Sequence, residues 1–236
     1  MIESGVEEIV EAEARPAARS PVGLAVVLMV LTLILGLLVT FKIGEPGERA
    51  IMKALALREH VTSDALIAAA RWATWTGDAA QRTLEMVLFA GWLFWRKRPR
   101  AALVMLIVPP LAGATSSILK EVFARARPDI VPHLDVVTNL SFPSGHATNA
   151  MATLLLAALL IAQTRRGLWI TTAIAAAATI GASRILLGVH WPSDVVGGWL
   201  WGAGIALIGL TVAQRLEARQ NANRSPILMS RPPSGA

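Results

Sequence analysis

At 236 residues, 54% hydrophobic and only 16% charged, the chain has too few charges to cover a water-soluble domain, where about a quarter of residues are charged; lipid must solvate much of it. The net charge of +6 does not mark a nucleic-acid binder, because the basic residues fall in short breaks between apolar runs and not in a stripe interleaved with aromatics. The absence of cysteine excludes disulfides, thiolate metal sites and cysteine nucleophiles together.

Residues 1–20 are polar and acid-rich (Glu3, Glu7, Glu8, Glu11, Glu13) and are expected to form a loose tail. After Pro21 an unbroken apolar run covers 22–41, about twenty residues, the length a helix needs to cross ~30 Å of hydrocarbon. A secretory signal would have a shorter apolar region after a basic start, so a retained span is expected. The linker 42–78 then carries Lys42, Arg49, Lys53, Arg58 and Arg71, against the charge bias expected of an outer loop. Its segment 61–77 is hydrophobic enough to suggest a helix. Asp64 and Arg71 would each cost roughly 2.5–3.5 kcal/mol at mid-membrane, and Trp72 and Trp75 suit a headgroup layer. An amphipathic helix in the outer interface is therefore expected, ahead of a seventh span.

Five further spans are read at 79–95, 101–119, 146–163, 168–187 and 195–213, with Pro109-Pro110 expected to kink the third span. Short basic breaks, Arg96-Lys97-Arg98-Pro99-Arg100 and Arg165-Arg166, fall on one side of this plan together with Arg215, Arg219 and Arg224. Positive charge marks that side as cytoplasmic. Gly197, Gly198, Gly202 and Gly204 suit close helix packing. Residues 215–236, with Pro226, Pro232 and Pro233, read as a disordered tail. The expected fold is all-α: a polytopic six-transmembrane helical bundle over 21–214 with an interfacial amphipathic helix.

Three polar clusters interrupt this pattern at the outer ends of spans: Lys120 to Arg127-Pro128, Phe142-Pro143-Ser144-Gly145-His146, and Ser183-Arg184 with His190-Trp191-Pro192-Ser193-Asp194. Ionisable groups at membrane depth are rare and mostly functional. Lys120, Arg127 and Arg184 together suit a tetrahedral dianion such as phosphate. Ser144 suits an N-cap, Gly145 permits close backbone approach, and the amides of that helix start would face an anion. His190 and Asp194 are spaced so that the carboxylate fixes the tautomer and frees the other ring nitrogen as a nucleophile. His146 is placed to protonate a leaving oxygen. Two histidines and an aspartate are also metal-ligand types, but three adjacent cations would repel a divalent ion, so no metal and no other cofactor is expected.

In this order, Lys120-x6-Arg127-Pro128, Pro143-Ser144-Gly145-His146 and Ser183-Arg184-x5-His190-x3-Asp194 resemble the signature of the type 2 phosphatidic acid phosphatase (PAP2) superfamily. The match covers about 115–200, and the six-span plan extends it. The resemblance implies that His190 attacks phosphorus to give a phosphohistidine, Asp194 orients it, and His146 protonates the leaving group and then activates water. It implies that Lys120, Arg127, Arg184, Ser144 and Gly145 hold the phosphate oxygens. The expected substrate is a lipid phosphate or diphosphate, in a bacterial plasma membrane with the site on the non-cytoplasmic face. Two alternatives stay open: a phosphotransferase using the same site, and a non-catalytic lipid-phosphate binder or transporter. Partners other than membrane lipids, and the oligomeric state, are not legible. Arg125 is read as interfacial, His133 and Asp135 as solvated loop residues, and His60 as without a role.

Overall fold

In the computed structural model, which describes residues 21–162 and 164–229, the elements are all helical, with no strand among the described residues. In chain order they are α1 (Val22–Thr40), α2 (Glu45–Leu55), α3 (Asp64–Thr76), α4 (Ala79–Trp95), α5 (Pro99–Phe123), α6 (Gly145–Ile161), α7 (Arg166–Leu186) and α8 (Pro192–Met229). The six apolar runs and the helix expected within 61–77 all form. The tail expected over 1–20 lies outside the described residues.

α6 is the central helix. Nearly every residue from Ala147 to Leu160 is buried, and α5, α7 and α8 pack around it. Small residues permit this. A Cβ at Gly198 would stand 2.7 Å from the Ser144 carbonyl oxygen, and one at Gly202 would collide with the carbonyl oxygen of Thr148, so glycine lets α8 lie against α6 backbone to backbone. α1 packs on the other side of α8, with Gly204 against Ala25 and Met29.

The outward faces are apolar. Leu24, Val27, Leu31 and Leu37 of α1, Leu84 and Leu88 of α4, and Leu103, Ile107 and Ile118 of α5 are all exposed, a surface that only lipid or a protein partner would cover. α1, α5, α7 and the α8 segment Pro192–Gln220 are long and apolar enough to cross a membrane. α4 and α6 have 17 residues each, about 25 Å at 1.5 Å per residue; α6 is shorter than the hydrocarbon core but is screened by its neighbours. Pro109 and Pro110 lie within a continuous α5.

Two findings depart from the sequence reading. The chain does not become disordered at 215: α8 continues to Met229, and residues 230–236 of the expected tail lie outside the described residues. Arg98 grips Glu217 at 2.9 Å, and Arg100 donates to the carbonyl oxygen of Leu216, so the helix is anchored to the start of α5 where the apolar pattern stops. The linker 42–78 also contains a helix that the sequence reading did not give, α2. Its helix signals are Pro46 near the start, Glu45 and Glu48 in the first turn and Lys53 in the last, which match the helix dipole. Its basic excess is partly neutralised locally, by Arg49 with Glu45 at 2.8 Å and Arg71 with Glu59 at 3.9 Å.

α2, α3 and the loop 124–144 cap one end of the bundle. Leu57, Ile67, Ala70, Leu134, Leu187 and Val189 form one small buried cluster there, and Met52, Ala56, Val131 and Trp191 another.

Candidate active site

The capped end encloses a cavity of about 350 Å³ lined by Asp78, Lys120, Arg127, Asp135, Val136, Val137, Thr138, Asn139, Gly145, His146, Arg184 and His190. The three polar clusters, separated by long apolar helices in sequence, therefore meet in one place. Each expected site residue lines this cavity except Ser144 and Asp194, which are buried beside it.

His190 stands in the turn between α7 and α8, with a side chain only 2% exposed. Its Nδ1 lies 3.2 Å from Asp194 Oδ2, and its Nε2 lies 3.2 Å from an Arg127 guanidinium nitrogen. Burial pulls the imidazole down to about 3, against the hydrogen bond and charge of Asp194, so it is neutral at pH 7. With its proton on Nδ1 facing Asp194, Nε2 carries the lone pair and accepts from Arg127, another residue of the cavity wall.

Asp194 is held more firmly than its spacing to His190 suggests. Oδ2 accepts from the Ser141 hydroxyl at 2.5 Å and from the Trp191 N–H at 2.9 Å, while Oδ1 accepts from Arg125 at 2.6 Å. Arg125 is thus not interfacial: its side chain is 10% exposed, and it also bonds Glu48 and Ser193.

The cations approach from three elements. Lys120, in the last turns of α5, donates to the carbonyl oxygens of Leu140 and Ser141. Arg127 donates to the carbonyl oxygens of Asn139 at 2.7 Å and Val189 at 2.6 Å. Burial, with the charge of Arg184, lowers its guanidinium to about 10, so it remains cationic at neutral pH. Arg184, in the last turn of α7, donates to Thr74 and to Asp135, each at 2.5 Å, and its Nε is buried without a partner. Asp135 is accordingly not a solvated loop residue. Burial would raise its carboxyl, but the hydrogen bond and charge of Arg184 outweigh that and hold it below the usual range.

The start of α6 also lines the cavity, through Gly145 and His146. Ser144 occupies the N-cap position but makes no capping bond with its hydroxyl, which is buried without a partner. The orphaned Ser144 hydroxyl and Arg184 Nε are the kind of buried polar atoms that a bound anion would satisfy. A Cβ at Gly145 would meet no protein atom within 4 Å, so the space beside this helix start is open. His146, the next residue, bonds Asp78 through Nε2 at 2.9 Å.

Asp78, Arg125, Glu48, Ser141, Asp135 and Thr74 were not singled out as site residues by sequence reasoning. Only Asp78 carried a signal, as an acidic residue at the start of an apolar helix. His133 ties the loop to the Pro128 carbonyl oxygen at 2.7 Å, away from the cavity. Among the described residues no three His, Asp or Glu side chains converge as metal ligands.

Known proteins with a similar chain point to one family. The PAP2 superfamily model matches residues 98–218. Decaprenylphosphoryl-5-phosphoribose phosphatase of Mycobacterium tuberculosis (strain CDC 1551 / Oshkosh) is 34% identical over 165 residues, covering 69% of this chain and 88% of the relative. Phosphatidylglycerophosphatase B of Bacillus subtilis (strain 168) is 35% identical over 125 residues, covering 50% of this chain and 61% of the relative. The crystal structure of a transmembrane PAP2-type phosphatidylglycerolphosphate phosphatase from Bacillus subtilis superposes with a TM-score of 0.72 at 27% identity, covering 83% of this chain and 96% of that one.

Proposed function

Since this chain belongs to the PAP2 superfamily and is an integral membrane lipid phosphatase, we propose that it cleaves a lipid phosphate or diphosphate through a phosphohistidine on His190, without a metal. One observation carries this reading: His190, its Nδ1 turned to Asp194, lines a cavity that Lys120, Arg127, Arg184 and His146 also line.

The phosphate oxygens take the place now filled by backbone carbonyls around Lys120 and Arg127, with the Arg184 Nε and Ser144 hydroxyl as further donors. Displacing those carbonyls frees charged donors for a dianion, a stronger partner than a neutral acceptor. Asp194 keeps the His190 proton on Nδ1, and Nε2 attacks phosphorus in line. A P–N bond forms and the P–O bond to the lipid breaks, while His146 gives a proton to the leaving oxygen. Water then attacks the phosphohistidine, His146 takes a proton from it, and phosphate leaves with His190 neutral again. Positioning and fixed charge supply most of the rate in phosphoryl transfer. Three cations provide that charge in a site whose field disfavours a divalent ion.

The membrane placement completes the reading. α1, α4, α5, α6, α7 and α8 form six spans with the N-terminus inside. The site faces the non-cytoplasmic side of a bacterial plasma membrane, and α3 lies in the outer interface with Trp72 and Trp75 toward lipid. The cysteine-free chain permits a direct check, with single cysteines at Val136 and Lys97 and an impermeant maleimide applied to intact cells. Labelling at 136 alone is expected.

The activity test is phosphate release by purified protein in chelator, over phosphatidate, phosphatidylglycerol phosphate and an undecaprenyl diphosphate. Release from at least one is expected, with none from His190→Ala. Undiminished release by that variant would overturn the nucleophile.

A further inference from the structure

We infer that Asp78 is the positioning residue of the leaving-group acid: its carboxylate holds the His146 imidazole by Nε2 and leaves Nδ1 to exchange the proton with substrate. This rests on the proposed role of His146 and extends it to a residue outside the three motifs.

Four observations support it. Asp78 Oδ1 lies 2.9 Å from His146 Nε2, while His146 Nδ1 has no hydrogen-bond partner among the described residues. Asp78 occupies the N-cap position of α4, where an aspartate ordinarily accepts from the first helical N–H groups, yet it makes no capping bond. Its carboxylate is directed to the histidine instead. The preceding Gly77 lets the turn between α3 and α4 close on the ring: a Cβ there would stand 3.1 Å from His146 Cδ2 and 2.6 Å from Ile180 Cγ2. Finally, Arg82, one turn along α4, makes no ion pair with Asp78, so the histidine is the partner the carboxylate takes among the described residues.

The site thus holds two histidine–carboxylate pairs, and they differ as their tasks require. Asp194 is fully buried and accepts from four groups, which suits a nucleophile that must keep one tautomer. Asp78 has a side chain 48% exposed, and its second oxygen accepts no hydrogen bond among the described residues. Such a partner tolerates a ring that changes protonation twice per turnover. With Nε2–H donated to Asp78, Nδ1 takes the proton of a monoanionic phosphate as the substrate binds, and the imidazolium so formed presents Nδ1–H to the leaving oxygen. Once that proton has gone to the lipid alkoxide, the neutral ring presents an Nδ1 lone pair, which takes a proton from the attacking water. The carboxylate orients the ring and is not itself a relay for the proton.

The test exploits leaving-group chemistry. An aliphatic alkoxide needs a proton to depart, whereas p-nitrophenolate does not. kcat/KM reports the steps through formation of the phosphoenzyme, and it is measured for a lipid phosphate and for p-nitrophenyl phosphate with the full-length protein, D78N, D78E and H146A. D78N is expected to lower kcat/KM about 10²-fold for the lipid and about threefold for p-nitrophenyl phosphate, the selective loss of general-acid assistance. D78E is expected to recover most of the lipid rate. An equal loss on both substrates, or a lipid rate within twofold of wild type in D78N, overturns the inference. The H146A arm separates the two levels. If H146A shows the selective loss and D78N does not, the acid stands and its partner is wrong; if H146A retains lipid turnover, the assignment of His146 falls and the inference with it.

Discussion

Arg125 donates to Asp194 Oδ1 at 2.6 Å, and its other terminal nitrogen reaches Glu48 of α2 at 2.5 Å. Glu48 in turn accepts from the Ser193 N–H at 2.9 Å, at the first turn of α8. The carboxylate that meets His190 Nδ1 is therefore tied to a linker helix, and a bare anion is not left in the protein interior. Trp191 packs under the Arg125 guanidinium, 5.2 Å from ring centroid to its central carbon, and fixes the fork from one side.

Removing this guanidinium leaves Asp194 with one oxygen unpaired at full burial, a change that costs about 3–5 kcal/mol in comparable buried pairs. Arg125→Met is expected to lower kcat about 100-fold with little change in KM, and to lower the unfolding temperature. Arg125→Lys, which keeps the charge but not the fork, should fall between. Steady-state kinetics and thermal unfolding followed by tryptophan fluorescence measure both; an Arg125→Met variant with wild-type kcat would show that the tie to α2 has no catalytic consequence.

The covalent intermediate makes its own prediction. Rapid quenching in base during turnover of a phosphate-labelled substrate is expected to trap labelled protein that is stable to alkali and lost in acid, as a phosphoramidate is. Asp194→Asn should lower the rate of its formation by about 10³–10⁴-fold, the size of effect seen when a histidine is left in the wrong tautomer. Label that survives acid instead would point to an ester on a hydroxyl.

Stability should depend on pH through His190. Its value of about 3 in the folded protein lies below the ordinary value of 6.5, so between these values the unfolded chain binds a proton that the folded one does not. Stability therefore rises with pH across that window and is lost as pH falls from 6.5 toward 3. Unfolding temperatures measured along this range should decline, and His190→Gln should flatten the decline.

Arg184 is expected to contribute to transition-state charge stabilisation and not to folding alone. Arg184→Lys keeps a positive charge but loses the fork that spans Thr74, Asp135 and the free Nε. A fall in kcat/KM of about 100-fold is expected, within the range for losing one donor to a developing charge. Asp135→Asn should weaken substrate binding less than tenfold, as measured by KM. If Arg184→Lys matched wild type, the unpartnered Nε would have no part in phosphate binding.

Close packing gives the last prediction. Gly202→Ala places a methyl against the Thr148 carbonyl oxygen at the contact between α8 and α6, and overpacking of this kind costs about 1–3 kcal/mol. Because Ser144, Gly145 and His146 begin α6, activity should fall together with unfolding temperature. Gly23, with no atom within 4 Å of its Cβ position, is the control expected to change neither.

The sequence by itself determined the helical class and the apolar runs, and it picked out Lys120, Arg127, Ser144, Gly145, His146, Arg184, His190 and Asp194 as candidates, because span length and local motif spacing are properties of contiguous chain. It also made His190 and Asp194 a pair, since four residues apart at a helix start places them together. What only the tertiary structure decided are the partners: Asp78 with His146 across 68 residues, Arg184 with Asp135 across 49, and Arg125 with Glu48 across 77. No local pattern distinguishes a carboxylate that will meet a cation from one that will meet water. For that reason Arg125 read as interfacial and Asp135 as solvated, although each is committed to a buried charge. The helical course of 215–229 was hidden for a related reason: a polar helix without an apolar face has no sequence period, and its anchoring through Glu217 and Leu216 comes from the start of α5.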